Sequence, residues 1–195
     1  MMLAIVGAVS AATAIPASAA LDVVLSAELR GSANYDSNLF RSPDDANPQV
    51  VTLYTGTVGL HVNKPYAQQR FQSDIAETAY RYEKSSDLDF DALNYRAAWL
   101  WHYGPRVSGT LEANRAQSQV SFQDTTGTTR NTRTTKNYLF NLDREITAPS
   151  HFLFGISQSD QSSENPTQAA PNFQSTAVKS GVRYVTASDN WVSLV

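Results

Sequence analysis

Asp87, Asp89 and Asp91 stand in a D-x-D-x-D run, the spacing with which a calcium loop supplies its first carboxylates. Such a loop needs glycine at its sixth position and a bidentate glutamate at its twelfth. Here those places hold Ala92 and Ala98, so an EF-hand is excluded. The run reads as a charged strand end or as a looser cation site bridging lipopolysaccharide, and the loop acids Asp44 and Asp45 read the same way. His61, His102 and His151 are scattered and belong to no H-E-x-x-H or comparable spacing, so neither a metal nor a cofactor is expected. Glu112 and Asp143 would make a glycosidase pair only if they stood about 5 to 9.5 Å apart. The chain shows no G-x-S-x-G, no phosphate loop and no ordering of Ser, His and Asp that suits a triad, and it is expected not to be an enzyme. Arg130, Arg133 and Lys136 form a basic patch suited to anionic sugars or lipid phosphates, or simply to loop solubility. With no aromatics among them and a net charge of −3, nucleic acid is not an expected partner.

The elements that carry these residues are strands. In DFDALNYRAAWLWHY, Leu93, Tyr95, Ala97, Trp99, Trp101 and Tyr103 alternate with a set that includes Asn94, Arg96 and His102. A period of two puts the sets on opposite faces of extended chain. Two Trp and two Tyr on one face are what a strand leaving hydrocarbon for headgroups presents. The pattern recurs. Leu25, Ala27, Leu29, Gly31, Ala33 and Tyr35 oppose Ser26, Glu28, Arg30, Ser32, Asn34 and Asp36, and Tyr54, Gly56, Val58, Leu60 and Val62 oppose Thr55, Thr57, His61 and Asn63. Val107, Gly109, Leu111 and Ala113 oppose Ser108, Thr110, Glu112 and Asn114; Tyr138, Phe140 and Leu142 oppose Asn137, Asn141 and Asp143. Phe152, Phe154 and Ile156 follow, then Thr176, Val178, Val182 and Tyr184, and last Trp191 in WVSLV. Residues 70–82 are the least regular, and a bulge near Ile75 is expected to switch their apolar face.

Connectors alternate between long and short. Polar stretches at 37–49, 123–135 and 158–171 take turns with Lys64-Pro65-Tyr66, Gly104-Pro105 and Ala148-Pro149-Ser150. Long loops at one end and tight turns at the other describe an antiparallel up-and-down transmembrane β-barrel, all-β, with about eight or nine strands present. A β-sandwich or lipocalin-like soluble barrel acting as a binding module is the plainer alternative. The expected lumen lining is Arg30, Asn34, Arg96, Glu112, Asn114, Asn141 and Asp143. The expected membrane-interface aromatics are Tyr35, Tyr54, Tyr95, Trp99, Trp101, Tyr103, Tyr138, Phe140, Phe152, Phe154, Tyr184 and Trp191.

The chain has 195 residues, 42% apolar and 17% charged, which suits one domain. Residues 1–20 carry no charge and end in an A-x-A pattern, so they read as a signal peptide, leaving 21–195 as the barrel domain. The absence of cysteine fits export and excludes disulfides.

The run YDSNLFR at 35–41, with LDFDALNYRAAWLWHYGPRVSGTLEANRAQSQVSF at 88–122, resembles the outer-membrane β-barrels of exopolysaccharide gene clusters, most of all the EpsL type associated with exosortase B. The resemblance implies a porin-like barrel in the outer membrane of a Gram-negative bacterium, reached after signal cleavage. It also implies a part in exopolysaccharide biosynthesis and transport, as polar conduit or as assembly partner. Its implied partners are lipopolysaccharide, extracellular polysaccharide and other export-machinery proteins, and a non-conducting structural or surface-interaction barrel is the alternative. Family members are longer, so a fragment truncated from a larger barrel is expected.

Overall fold

The computed structural model describes residues 9–14, 23–42, 48–122, 128–166, 171–186 and 190–194. They form one antiparallel sheet in which every strand pairs with its sequence neighbours: β1 (Val9–Ala14), β2 (Val24–Asp36), β3 (Val51–Tyr66), β4 (Gln69–Tyr82), β5 (Phe90–Tyr103), β6 (Val107–Gln119), β7 (Thr132–Thr147), β8 (Ser150–Ser163), β9 (Phe173–Val185) and β10 (Trp191–Leu194). The fold is therefore all-β and up-and-down. Strand β1, which pairs with β2, lies inside the stretch 1–20 that reads as a signal peptide. Beyond it come eight strands of 13 to 16 residues and a ninth of 4. At about 3.3 Å per residue those eight exceed the roughly 9–11 residues that cross a bilayer at a tilt.

Register carries one face unbroken across the sheet. Arg30 lies opposite Thr57, Thr57 opposite Thr78, and Asp74 opposite Arg96. Arg96 then faces Asn114, Asn114 faces Asn137, and Asn137 faces Ser159. We call this the inner face. The other carries Leu29, Val58, Tyr95, Trp99, Leu111, Phe140, Phe154 and Val182.

The expected bulge near Ile75 is absent. The β3–β4 and β4–β5 ladders keep constant register through Ile75, which lies opposite Leu60 and Tyr95. The apolar residues change face for another reason. Near the long loops, Tyr80, Tyr82, Phe90 and Ala92 lie on the inner face, where Val51, Tyr82, Leu88, Phe90 and Ala92 form a buried cluster with Leu39, Phe40, Leu53, Tyr80 and Phe122 packed against it. At the same end the outer face turns polar, with Glu77, Arg81 and Asp91. Amphipathy thus inverts along the strand while its register stays fixed. The ladder's one irregularity among the described residues is between Glu145 and Thr147, where β7 meets β8. The β3–β4 turn is Ala67-Gln68, with Ala67 at φ 51°, so Pro65 and Tyr66 belong to the strand.

The sheet forks at the long-loop end. The β5–β6 ladder runs from Tyr103–Val107 to Tyr95–Arg115, although both strands continue. Side chains bridge the gap: Gln117 donates its backbone N–H to Asn94 Oδ1 at 2.7 Å, and Arg115 donates to the Leu93 carbonyl. These bonds serve main-chain groups that the fork leaves without ladder partners.

Candidate functional site: the inner face and its loop cap

All seven residues expected to line the lumen lie on the inner face, and register brings several of them together. Arg96 on β5 donates to Glu112 on β6 through Nε at 3.0 Å and Nη2 at 2.8 Å, a bidentate pair that fixes both side chains. Its Nη1 lies 3.9 Å from Asp74 on β4, whose other oxygen meets His61 Nδ1 on β3. The row His61, Asp74, Arg96, Glu112 crosses four neighbouring strands. A second row joins Asp143 on β7 to His151 on β8 at 2.7 Å and to Arg183 on β9. Arg30 pairs with Glu28 two residues away on its own strand, and Asn137 donates to Asn114 at 3.0 Å. Asn141 leans over Gly155, where any β-carbon would stand 2.8 Å from its Oδ1.

His61, Asp74, His151, Arg183 and Glu28 were not on the expected lumen list. Parity alone places Glu28 beside Arg30 and Arg183 opposite in phase to Val182 and Tyr184. The pairings themselves depend on register, which no single strand encodes.

Concavities open on this face among the described residues. One of about 590 Å³ includes Glu28, Arg30, His61, Asp74 and Arg96 in its wall. Another of about 460 Å³ has Thr110, Asn141, Asp143 and Lys179, and a third of about 310 Å³ has Glu112, Asn114, Asn137 and Ser159.

Several sequence-level pairings are not brought together. Glu112 lies opposite Leu139, four residues along β7 from Asp143, so the carboxylates are separated by about 13 Å of strand. That exceeds the glycosidase range, and each is already held by an arginine. Two aspartates of the D-x-D-x-D run are engaged separately: Asp89 Oδ1 accepts the Tyr82 N–H at 2.8 Å, and Asp91 pairs with Arg81 at 2.7 Å on the outer face. Asp44 and Asp45 lie outside the described residues. The basic patch is also dispersed, because Arg133 and Lys136 differ in parity on β7 and fall on opposite faces.

Arg130, the third member, closes the long-loop end. It donates to Glu164 through Nη2 at 2.7 Å and Nε at 3.3 Å, and to the Asp89 carbonyl through Nη1 at 3.0 Å. This charge-assisted bond holds the Glu164 carboxyl below its ordinary range. Beside it, fully buried Asn131 exchanges two 3.0 Å bonds with the main chain of Asn165. Phe40, on the β2–β3 connector, meets Phe122, on the same β6–β7 connector as Arg130, edge to face at 4.9 Å. Connectors after β2, β4, β6 and β8 are thereby tied into one cap.

YDSNLFR folds into a locked turn under this cap. The Asp36 carboxylate accepts the Asn38 N–H at 2.9 Å and both terminal nitrogens of Arg41 at 3.1 and 3.0 Å, with Arg41 at φ 54°. Leu39 and Phe40 are thereby presented to the apolar cluster.

Eleven of the twelve expected interface aromatics lie on the outer face. Trp99 stacks on Phe71 with centroids 5.9 Å apart and donates Nε1 to Gln69 at 2.9 Å. Trp191 is the exception: it lies opposite Val185, on the parity of Arg183 and Ser193, and so falls on the inner face. That four-residue strand has no alternation long enough to read.

No protein-family model, curated protein or solved structure matches this chain.

Proposed function

We propose that the chain is an outer-membrane β-barrel acting in exopolysaccharide export, with the inner face as a polar conduit for glycan. The observation that carries this reading is the exposed apolar face of the sheet. Val58, Leu29 and Val178 are 63, 61 and 65% exposed, while Arg30, Asn34 and Arg96 on the polar face are exposed as well. A sheet in water buries its apolar face, and a contiguous outer surface of Leu, Val, Phe and Trp has a favourable environment only in lipid. Peptide groups in hydrocarbon cannot go unpaired, so a sheet placed there needs both its edges, here β1 and β10, paired within a closed barrel. Aromatic spacing supports the same reading: Tyr103 and Tyr95 are eight residues apart on β5, or about 26 Å along the strand and about 20 Å at a tilt near 40°. The resemblance of YDSNLFR and the β5–β6 region to exopolysaccharide-cluster barrels supplies the glycan.

A non-conducting structural barrel is the second reading, and the apolar cluster under the loop cap favours it. Both are tested on the full chain refolded in detergent. A barrel is expected to stay folded in unheated gel electrophoresis, migrating differently from the boiled chain, and to give discrete conductance steps in planar bilayers. Identical migration in both lanes would defeat the barrel. A folded but electrically silent barrel would replace the conduit with the structural reading.

A further inference from the structure

We infer that the conduit takes an uncharged, hydroxyl-rich polymer rather than an acidic one, an inference that rests on the barrel reading above. Between the cap and the short turns, the described inner face carries the anions Glu28, Asp74, Glu112, Asp143 and Glu145, the last 3.9 Å from Arg106 of a short turn, and the cations Arg30, Arg70, Arg96, Lys179 and Arg183. The charges balance. They are also paired locally: each carboxylate has an arginine within ion-pair distance, with Arg96 serving both Asp74 and Glu112. His61 and His151 add further contacts to Asp74 and Asp143.

A channel that concentrates an acidic polymer does so with a field of one sign focused between low-dielectric walls. Guanidinium forks already filled by carboxylates supply little of that field, and Arg96 has both Nε and Nη2 occupied by Glu112. A uronate or sulfate entering there would have to displace a carboxylate fixed on the next strand. Neutral sugars meet no such competition. The wall between the pairs offers Ser, Thr and Asn groups, including Thr110, Asn114, Asn137 and Ser159 beside the concavities. Hydroxyls and amides both donate and accept, as the ring hydroxyls of a glycan do. Lys179 and Arg70 are the cations of the set without an ion pair among the described residues, and Lys179 lies opposite Gly155.

The experiment compares a neutral glucan oligomer with an oligogalacturonate of equal length on the full chain in detergent, by calorimetric binding, and then by block of conductance in bilayers. The neutral oligomer is expected to bind about tenfold or more tightly than the acidic one, and the open channel to show a cation-to-anion permeability ratio close to unity. Lys179→Glu, which breaks no ion pair among the described residues, is expected to shift the ratio towards cations. Arg96→Gln is expected to shift it in the same direction. Preferential binding of the oligogalacturonate, binding of neither oligomer, or a wild-type channel strongly selective for one ion sign would overturn the inference. Failure of the barrel reading is separately visible as a chain with no heat-modifiable form, and silence in the bilayer leaves the binding ratio to decide the substrate class.

Discussion

Charged residues in this chain are spent sideways, on neighbouring strands, more than on open space. Arg96, Arg183, Arg130 and Arg41 each hold a carboxylate, and that explains why single-residue chemistry was hard to read from type and spacing. Glu112 and Asp143 take their arginine partners from other strands, at separations set by turn length. Glycine is informative at the same scale. Gly109 lies opposite Trp101, and a β-carbon there would stand 2.3 Å from the indole Cζ2 and 2.6 Å from the Asn141 carbonyl oxygen. The Trp101 ring covers the space a side chain would need, with a fixed carbonyl behind it. Gly109→Leu is therefore expected to destabilise the folded chain by about 1–3 kcal/mol, as overpacking does. A lowered urea midpoint in detergent, with a changed Trp emission maximum, would show it; an unchanged midpoint would mean that the indole swings away freely.

At the scale of the strand, alternation was legible wherever one face met one environment along its whole length, as on β5 and β6 between Tyr103 and Tyr95. It failed on β4, because Tyr80 and Tyr82 serve the capped apolar cluster whereas Phe71 and Ile75 serve the outer surface. A bulge is one way to move apolar residues between faces; a change of surroundings along a regular strand is another, and sequence alone does not distinguish them. The two faces of β6 give a direct test. Leu111 sits between Trp99 and Phe140 on the outer face, and Thr110 beside it faces inward. Leu111→Arg is expected to cost about 2–4 kcal/mol of folding stability in lipid, the penalty for a cation on a barrel's lipid face. Thr110→Arg is expected to cost much less, and equal losses in vesicle refolding titrations would refute the assignment of faces.

The connectors have their own titration. Because Arg130 lowers the Glu164 pKa, the bond contributes stability above the ordinary carboxylate range and loses it as pH falls through the lowered value. Both side chains are more than a third exposed, so the effect stays within about 1 kcal/mol. Acidification is expected to raise proteolytic nicking of the β8–β9 connector, and Glu164→Gln to show the higher rate already at neutral pH with a flatter pH profile. A variant that kept the wild-type profile would assign the acid response to another group.

For the whole molecule, the lopsided connectors, the inverted amphipathy and the cap select one orientation. The polar ends of the outer face, with Glu77, Arg81 and Asp91, adjoin the long loops, and on the proposed function those ends would stand clear of hydrocarbon. The Trp99 and Trp101 side adjoins the tight turns. Outer-membrane barrels keep tight turns in the periplasm and long loops outside, so the proposed function predicts the cap at the cell surface and Gly104-Pro105 in the periplasm. Since the chain has no cysteine, a single introduced thiol reports its side without background. Lys84 is exposed beside the cap, and Arg106 is exposed at a short turn. In intact cells, Lys84→Cys is expected to react with a membrane-impermeant maleimide and Arg106→Cys to react only after lysis. Reversed labelling would put the cap in the periplasm, and equal labelling of both in intact cells would mean that the sheet does not separate two compartments, removing the premise that its exposed apolar face is covered by lipid.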